Sequence, residues 1–161
     1  MNLEEMPLSW MLSEVDLATM REIITPRDSI HVLANWYSPI ADFAISEIEA
    51  RMGMALCREF MPEIMDVGWT LGVIWPQFKA NRLHPDLHFQ LDFLVMRGDR
   101  KIGVECDGKA FHSSPKQKAK DEFRTRKIFE KCGLRIVRFT GTEIYQKAEL
   151  CARTVRTELM Q

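Results

Sequence analysis

Residues 88–97 and 101–107 constrain the fold most. Each run alternates apolar and polar side chains, the period of a β-strand with one face buried. Between them stands Arg97-Gly98-Asp99-Arg100, and Gly98-Asp99 fits a two-residue hairpin turn with glycine first. Once the turn is placed the pairing follows, because a slip of one residue would move every side chain to the other face. Val95 then faces Ile102, Phe93 faces Val104, and Leu91 faces Cys106, six residues on one apolar face. The other face sets Asp92 across from Glu105 and Gln90 across from Asp107.

That second face is unusual. Directly opposed side chains lie about 4.5–5.5 Å apart at Cβ, where like charges destabilise a sheet. A purely structural hairpin would avoid Asp92, Glu105 and Asp107 together. A bound divalent cation would offset the repulsion, and carboxylate oxygens suit Mg²⁺ or Mn²⁺. The plainer alternative is a solvated strand face whose carboxyls stay protonated or pair with lysines.

Flanking elements follow from local signals. Ser13–Ile24 reads as a short helix stopped at Thr25-Pro26, within a preface of about 38 residues. Residues 38–61 carry a strong helical pattern, with Ser38 as cap, Phe43, Ile48, Met52, Leu56 and Phe60 near helical spacing, and Pro62 as the stop. Leu71–Lys79 reads as a strand, and His84 and His88 flank Pro85 in an irregular link. A basic helix covers residues 116–132 and ends at Gly133; Leu134–Phe139 is a strand, and Thr142–Leu159 a closing helix. The expected architecture is one α/β domain over residues 38–161, preceded by a helical extension over residues 1–37.

The 161 residues suit one domain. Four scattered cysteines form no CxxC pair, which argues against a zinc ribbon or a disulfide framework and fits a reducing, cytoplasmic setting. There is no signal-peptide pattern and no apolar run long enough to span a bilayer. Net charge is −1, but residues 100–138 carry 12 basic and 5 acidic side chains. Lys116, Lys120, Arg124, Lys127 and Lys131 fall on one stripe of the basic helix, which suits a nucleic-acid backbone or simply a solvated face.

Four motifs carry a family resemblance: Gln90-Leu91-Asp92-Phe93, Val104-Glu105-Cys106-Asp107-Gly108, Phe111-His112, and the run from Val137 to Ile144. Together they resemble the PD-(D/E)XK nuclease superfamily, and within it the branch similar to very-short-patch repair endonucleases. The resemblance covers roughly residues 38–146. It implies a restriction-endonuclease-like core, α-β-β-β-α-β, with a mixed central sheet. It also implies hydrolysis of nucleic-acid phosphodiesters, DNA favoured, with Mg²⁺ or Mn²⁺. By position Asp92 and Glu105 would be metal ligands, with the backbone carbonyl of Cys106 completing the set. Asp107 takes the place of the superfamily's usual lysine, and His112 resembles the branch's active-site histidine.

Softer matches extend the list. Gln77 resembles a glutamine of the first core strand. The branch usually places a glutamate early in the first helix; Asp42 and Glu47 are the candidates here, although an acid in a first helical turn also answers the helix dipole. Transition-state charge would fall to Lys109 or Lys116. His112 titrates near neutrality and suits proton transfer from an attacking water. One domain supplies one active site, so cutting both strands would need a homodimer or two successive nicks. Residues 1–37 could serve that dimer or a protein partner. The rival expectation is a catalytically inactive domain of the same fold that binds nucleic acid or a protein.

Overall fold

A computed structural model of the chain describes residues 44–67, 70–108 and 115–161. The expected helix at Ser13–Ile24 and the extension over residues 1–37 lie outside the described residues, as do Asp42, Lys109 and His112. The first described helix, α1 (Glu47–Glu59), begins later than its apolar pattern suggested. Ser46 is extended at φ −148° and its hydroxyl accepts the Glu49 N–H, which starts the helix there. Phe60 caps its end, and a second helix, α2 (Met61–Val67), follows at once. Pro62 therefore sits in a first turn, where its missing N–H costs nothing, rather than acting as a terminator.

Four strands form one sheet in chain order: β1 (Ile74–Lys79), β2 (Gln90–Arg97), β3 (Arg100–Asp107) and β4 (Arg135–Thr140). The first three are antiparallel neighbours and β4 runs parallel to β3. Helix α3 (Pro115–Cys132) makes the crossover between those parallel strands, and Gly133, at φ +65°, supplies the left-handed residue that ends it. Helix α4 (Gly141–Met160) closes the chain, kinked at Lys147. Thr140 and Glu143 cap it reciprocally, each side chain taking the other's backbone N–H.

Helices α1 and α4 cover one face of the sheet. Met52, Leu56, Phe60, Val155 and Leu159 meet Phe93, Val95, Ile102 and Val104 there. The other face is thinner, built from Phe78, Leu87, Leu91, Leu94, Leu134 and Ile128 of α3.

The hairpin turn is where the sequence places it, with Gly98 at φ +57°. Val95 pairs with Ile102 and Phe93 with Val104. The register ends there, one position short of Asp92 and Glu105. Leu91 also departs from expectation: it pairs with Phe78 and joins that residue on the α3 face. The cause lies on β1. Gln77 has φ +47° and breaks the alternation, so Ile74 faces α1 while Phe78 faces α3. Gly103 makes room for the displaced Leu91, since a Cβ there would stand 3.2 Å from both Leu91 Cδ1 and Ile136 Cγ1.

Candidate active site

The end of β3 delivers Glu105, Cys106 and Asp107 between two neighbours. Asp92 of β2 turns its carboxylate into the strand gap, where Oδ2 accepts the Cys106 N–H at 2.6 Å. This bond takes up a backbone donor just where the antiparallel register stops. On the other side β4 pairs with the same stretch of β3, setting Arg138 across from Glu105. Arg138 Nη1 lies 3.5 Å from Glu105 Oε2 and 4.0 Å from Asp107 Oδ1.

Glu105 is 7% exposed, rare for an acid without partners. Its second partner is Arg124 of α3, whose Nη2 donates to Glu105 Oε1 and, at 2.8 Å, to the Gln90 carbonyl. The Arg124 guanidinium also lies 5.5 Å from the Phe89 ring centroid.

A fourth carboxylate comes from α1. Glu49 is 6% exposed, and its Oε2 accepts a 2.6 Å hydrogen bond from Gln77 Nε2. Ser46 Oγ and the Ile45 N–H hold the same carboxylate at 3.0 and 3.2 Å. Gln90 in turn donates from its amide to Gln77 Oε1. The left-handed backbone at Gln77, which costs on the order of 1 kcal/mol, places this amide between α1 and β2.

Burial pushes the Glu49, Asp92 and Glu105 carboxyls up, Glu105 to about 7. The Arg124 and Arg138 charges pull Glu105 the other way, and the Asp92 and Asp107 charges add to the rise. Cys106 lies between Glu105 and Asp107 in the chain, and Asp92 holds its N–H. Burial first, then the charges of Asp92, Glu49, Glu105 and Asp107, drive its thiol far above the ordinary range. That disfavours the thiolate a nucleophile needs.

Among the described residues no three His, Cys, Asp or Glu side chains are gathered closely enough to hold a metal as they stand. The donor chemistry nevertheless fits a hard divalent cation. Asp92, Glu105 and Asp107 meet at the end of β3 and Glu49 is tied to Gln77, burial raises three of these carboxyls, and two guanidiniums supply compensating positive charge. Asp92, Glu105 and the Cys106 carbonyl are the groups that could hold the ion.

The other expected residues divide. Gln77 reaches the site through Glu49. Glu47 does not: its carboxylate pairs along the helix surface with Arg51 at 2.8 Å. The first-helix acid facing the site is Glu49. Its signal was present in the sequence, since an acid at 49 continues the apolar stripe of Met52, Leu56 and Phe60. Of the basic stripe, Lys120 is exposed and Lys127 half-buried, while Lys131 pairs with Asp86 at 3.3 Å. Arg124 turns inward to Glu105 instead of standing free on that stripe. The Lys116 side chain lies outside the described residues.

The mixed four-stranded sheet, the helix on each face and the acids at the end of β3 define a restriction-endonuclease-like α/β protein. The family model REase_MTES_1575 matches residues 59–159, so the chain belongs to that restriction-endonuclease-like family. Asp92, Glu105, Asp107, Arg124 and Arg138 all fall within the matched segment, and Glu49 precedes it. No curated protein and no solved structure matches the chain. No helix among the described residues is long and apolar enough to cross a membrane.

Proposed function

We propose that the protein is a divalent-metal-dependent nuclease that hydrolyses phosphodiester bonds, acting as an endonuclease on DNA. The observation that carries this reading is the meeting of Asp92, Glu105 and Asp107 at the end of β3 of a restriction-endonuclease-like fold, where Asp92 holds the Cys106 N–H and Arg138 lies beside the other two acids. The motifs around Asp92, Glu105 and His112 favour the branch similar to very-short-patch repair endonucleases.

Asp92, Glu105 and the Cys106 carbonyl would hold Mg²⁺ or Mn²⁺. When bound, the ion would supply charge neutralisation at the phosphate and lower the pKa of water. Glu49 supports the site from α1 and is itself oriented by Gln77, as outer-shell groups orient metal ligands. Asp107, whose side chain is 42% exposed, faces solvent at the rim and can accept a hydrogen bond from an incoming water. His112 follows β3 closely in the chain and would take the proton of the attacking water. Lys120 and Lys127 of α3 would meet backbone phosphates and fix the register of the nucleic acid.

One observation favours a second reading, a catalytically silent module of the same fold. Arg124 and Arg138 already neutralise Glu105, and Asp107 stands where the superfamily keeps a lysine. Incubation with supercoiled plasmid, single-stranded DNA and RNA in Mg²⁺, Mn²⁺ or EDTA separates the two. The nuclease reading expects metal-dependent cutting that Asp92→Ala abolishes. Equal behaviour of native and variant protein, with nucleic acid bound but intact in every metal, would establish the silent module.

A further inference from the structure

We propose that Arg124 is the resident counter-charge of Glu105, displaced from it when a divalent cation binds and then free to contact the phosphate of the nucleic acid. The proposal deepens the metal-dependent nuclease reading and rests on it.

The way Arg124 is held supports an exchangeable role. Its two hydrogen bonds among the described residues, to Glu105 Oε1 and to the Gln90 carbonyl, come from the single nitrogen Nη2. Its Nε is buried and has no hydrogen-bond partner among the described residues. Arg156 shows what a built-in structural arginine looks like in this same fold. It spends Nε on Glu59 Oε1 at 2.7 Å, Nη1 on Glu63 Oε1 at 2.7 Å, and Nη2 on Glu63 Oε2 at 2.9 Å and the Glu59 carbonyl. Three nitrogens saturated by two elements make a permanent tie. One nitrogen shared by two acceptors, beside an unsatisfied Nε, makes a weak one, because a buried donor without a partner is costly.

Location adds the second half. Arg124 contacts Glu105 Oε1 directly, so its guanidinium stands on an oxygen that Glu105 would offer to a metal. A dication bound to that carboxylate repels a guanidinium at hydrogen-bonding distance. Arg138 need not leave: it lies 3.5 Å from the other oxygen and is tethered by Thr125 Oγ1 at 3.2 Å. Arg124 also keeps a place to go. It rises from α3, the helix that carries Lys120 and Lys127, and its planar fork matches a phosphate in two-point geometry. Arg124 thus brings a cation from the following helix to a strand end crowded with acids.

The test is calorimetric titration of Mn²⁺ into native protein and Arg124→Met, without nucleic acid. Removing a competing guanidinium should tighten Mn²⁺ binding by on the order of tenfold, while the same variant cuts plasmid more slowly. Unchanged or weaker Mn²⁺ binding in a folded variant, with native binding intact, would make Arg124 a fixed support of Glu105 and overturn the proposal alone. Absence of Mn²⁺ binding in both proteins would overturn it together with the nuclease reading. A second readout needs no substitution in the sample measured: the Nε–H resonances of native protein labelled on arginine, followed through a Mg²⁺ titration. The Arg124 signal should move while that of Arg156 stays, and an Arg124 signal unmoved at saturating Mg²⁺ would contradict displacement.

Discussion

At the scale of single residues, four acids bear on the proposed site: Glu49, Asp92, Glu105 and Asp107. Asp92, Glu105 and Asp107 stand out in the sequence as acids on strand positions beside a hairpin turn, although the observed register stops one position before them. Glu49 is harder to read, since its neighbour Glu47 lies in the same helical turn and bears the same chemistry. What separates them is the stripe: Glu49 faces the core side and is 6% exposed, whereas Glu47 pairs outward with Arg51. Glu49→Gln should therefore reduce metal-dependent cleavage by about 10- to 100-fold, the usual cost of losing an outer-shell partner, and Glu47→Gln should leave it within about twofold. Side-by-side rates on plasmid at fixed Mg²⁺ check this. Arg124 illustrates a different difficulty. Helical spacing assigns it to a basic stripe, but spacing cannot see that a buried carboxylate on β3 stands within its reach.

At the scale of elements, the hairpin was readable to the position before the site and no further. Turn chemistry fixes the register through Phe93 and Val104, but two local events decide what happens next. The Asp92 carboxylate takes the Cys106 N–H, and the left-handed Gln77 shifts the alternation of β1, sending Leu91 to the α3 face. Neither follows from periodicity, because both depend on side chains capturing backbone or neighbouring groups. The helices are tied more simply. Arg156 of α4 joins α1 and α2 through Glu59 and Glu63, and its hydrogen bonds lower the Glu63 carboxyl below its ordinary value of 4.5. A lowered carboxyl contributes stability that is present above the unfolded value and lost as pH falls through the folded one. Arg156→Met should cost about 1–3 kcal/mol near neutrality, and the variant should lose less further stability than the native protein between about pH 5 and pH 3. Denaturant melts at several pH values measure both effects. Gly141 offers a second check, since a Cβ there would stand 3.1 Å from the Gly108 carbonyl and 2.6 Å from Ile48 Cδ1. Gly141→Ala should destabilise by about 1 kcal/mol, seen as an earlier denaturant midpoint.

At the scale of the whole molecule, the order of strands and of the last two helices was legible from their periods and turn signals. The first helix, by contrast, starts at Glu47 rather than at residue 38, and a second helix, α2, follows it where Pro62 suggested a stop. The family match over residues 59–159 spans the four strands and the helices α3 and α4. The overall charge of −1 hides an uneven distribution, and binding to nucleic acid would draw on its basic segment. A double substitution of Lys120 and Lys127 by Gln should weaken duplex binding by a similar factor for every sequence tried and reduce the slope of log affinity against log salt by about 2. Fluorescence anisotropy across a salt series provides that slope. The proposed divalent-metal site lies at one place, the end of β3 beside Asp92. The measurement that reaches it most directly is a crystal of the full chain grown with Mn²⁺ and examined by anomalous scattering. The account predicts one strong peak within bonding distance of Asp92, Glu105 and the Cys106 carbonyl, with the Arg124 guanidinium moved off Glu105. No peak there at saturating Mn²⁺, with Arg124 and Arg138 still closed on Glu105, would contradict it.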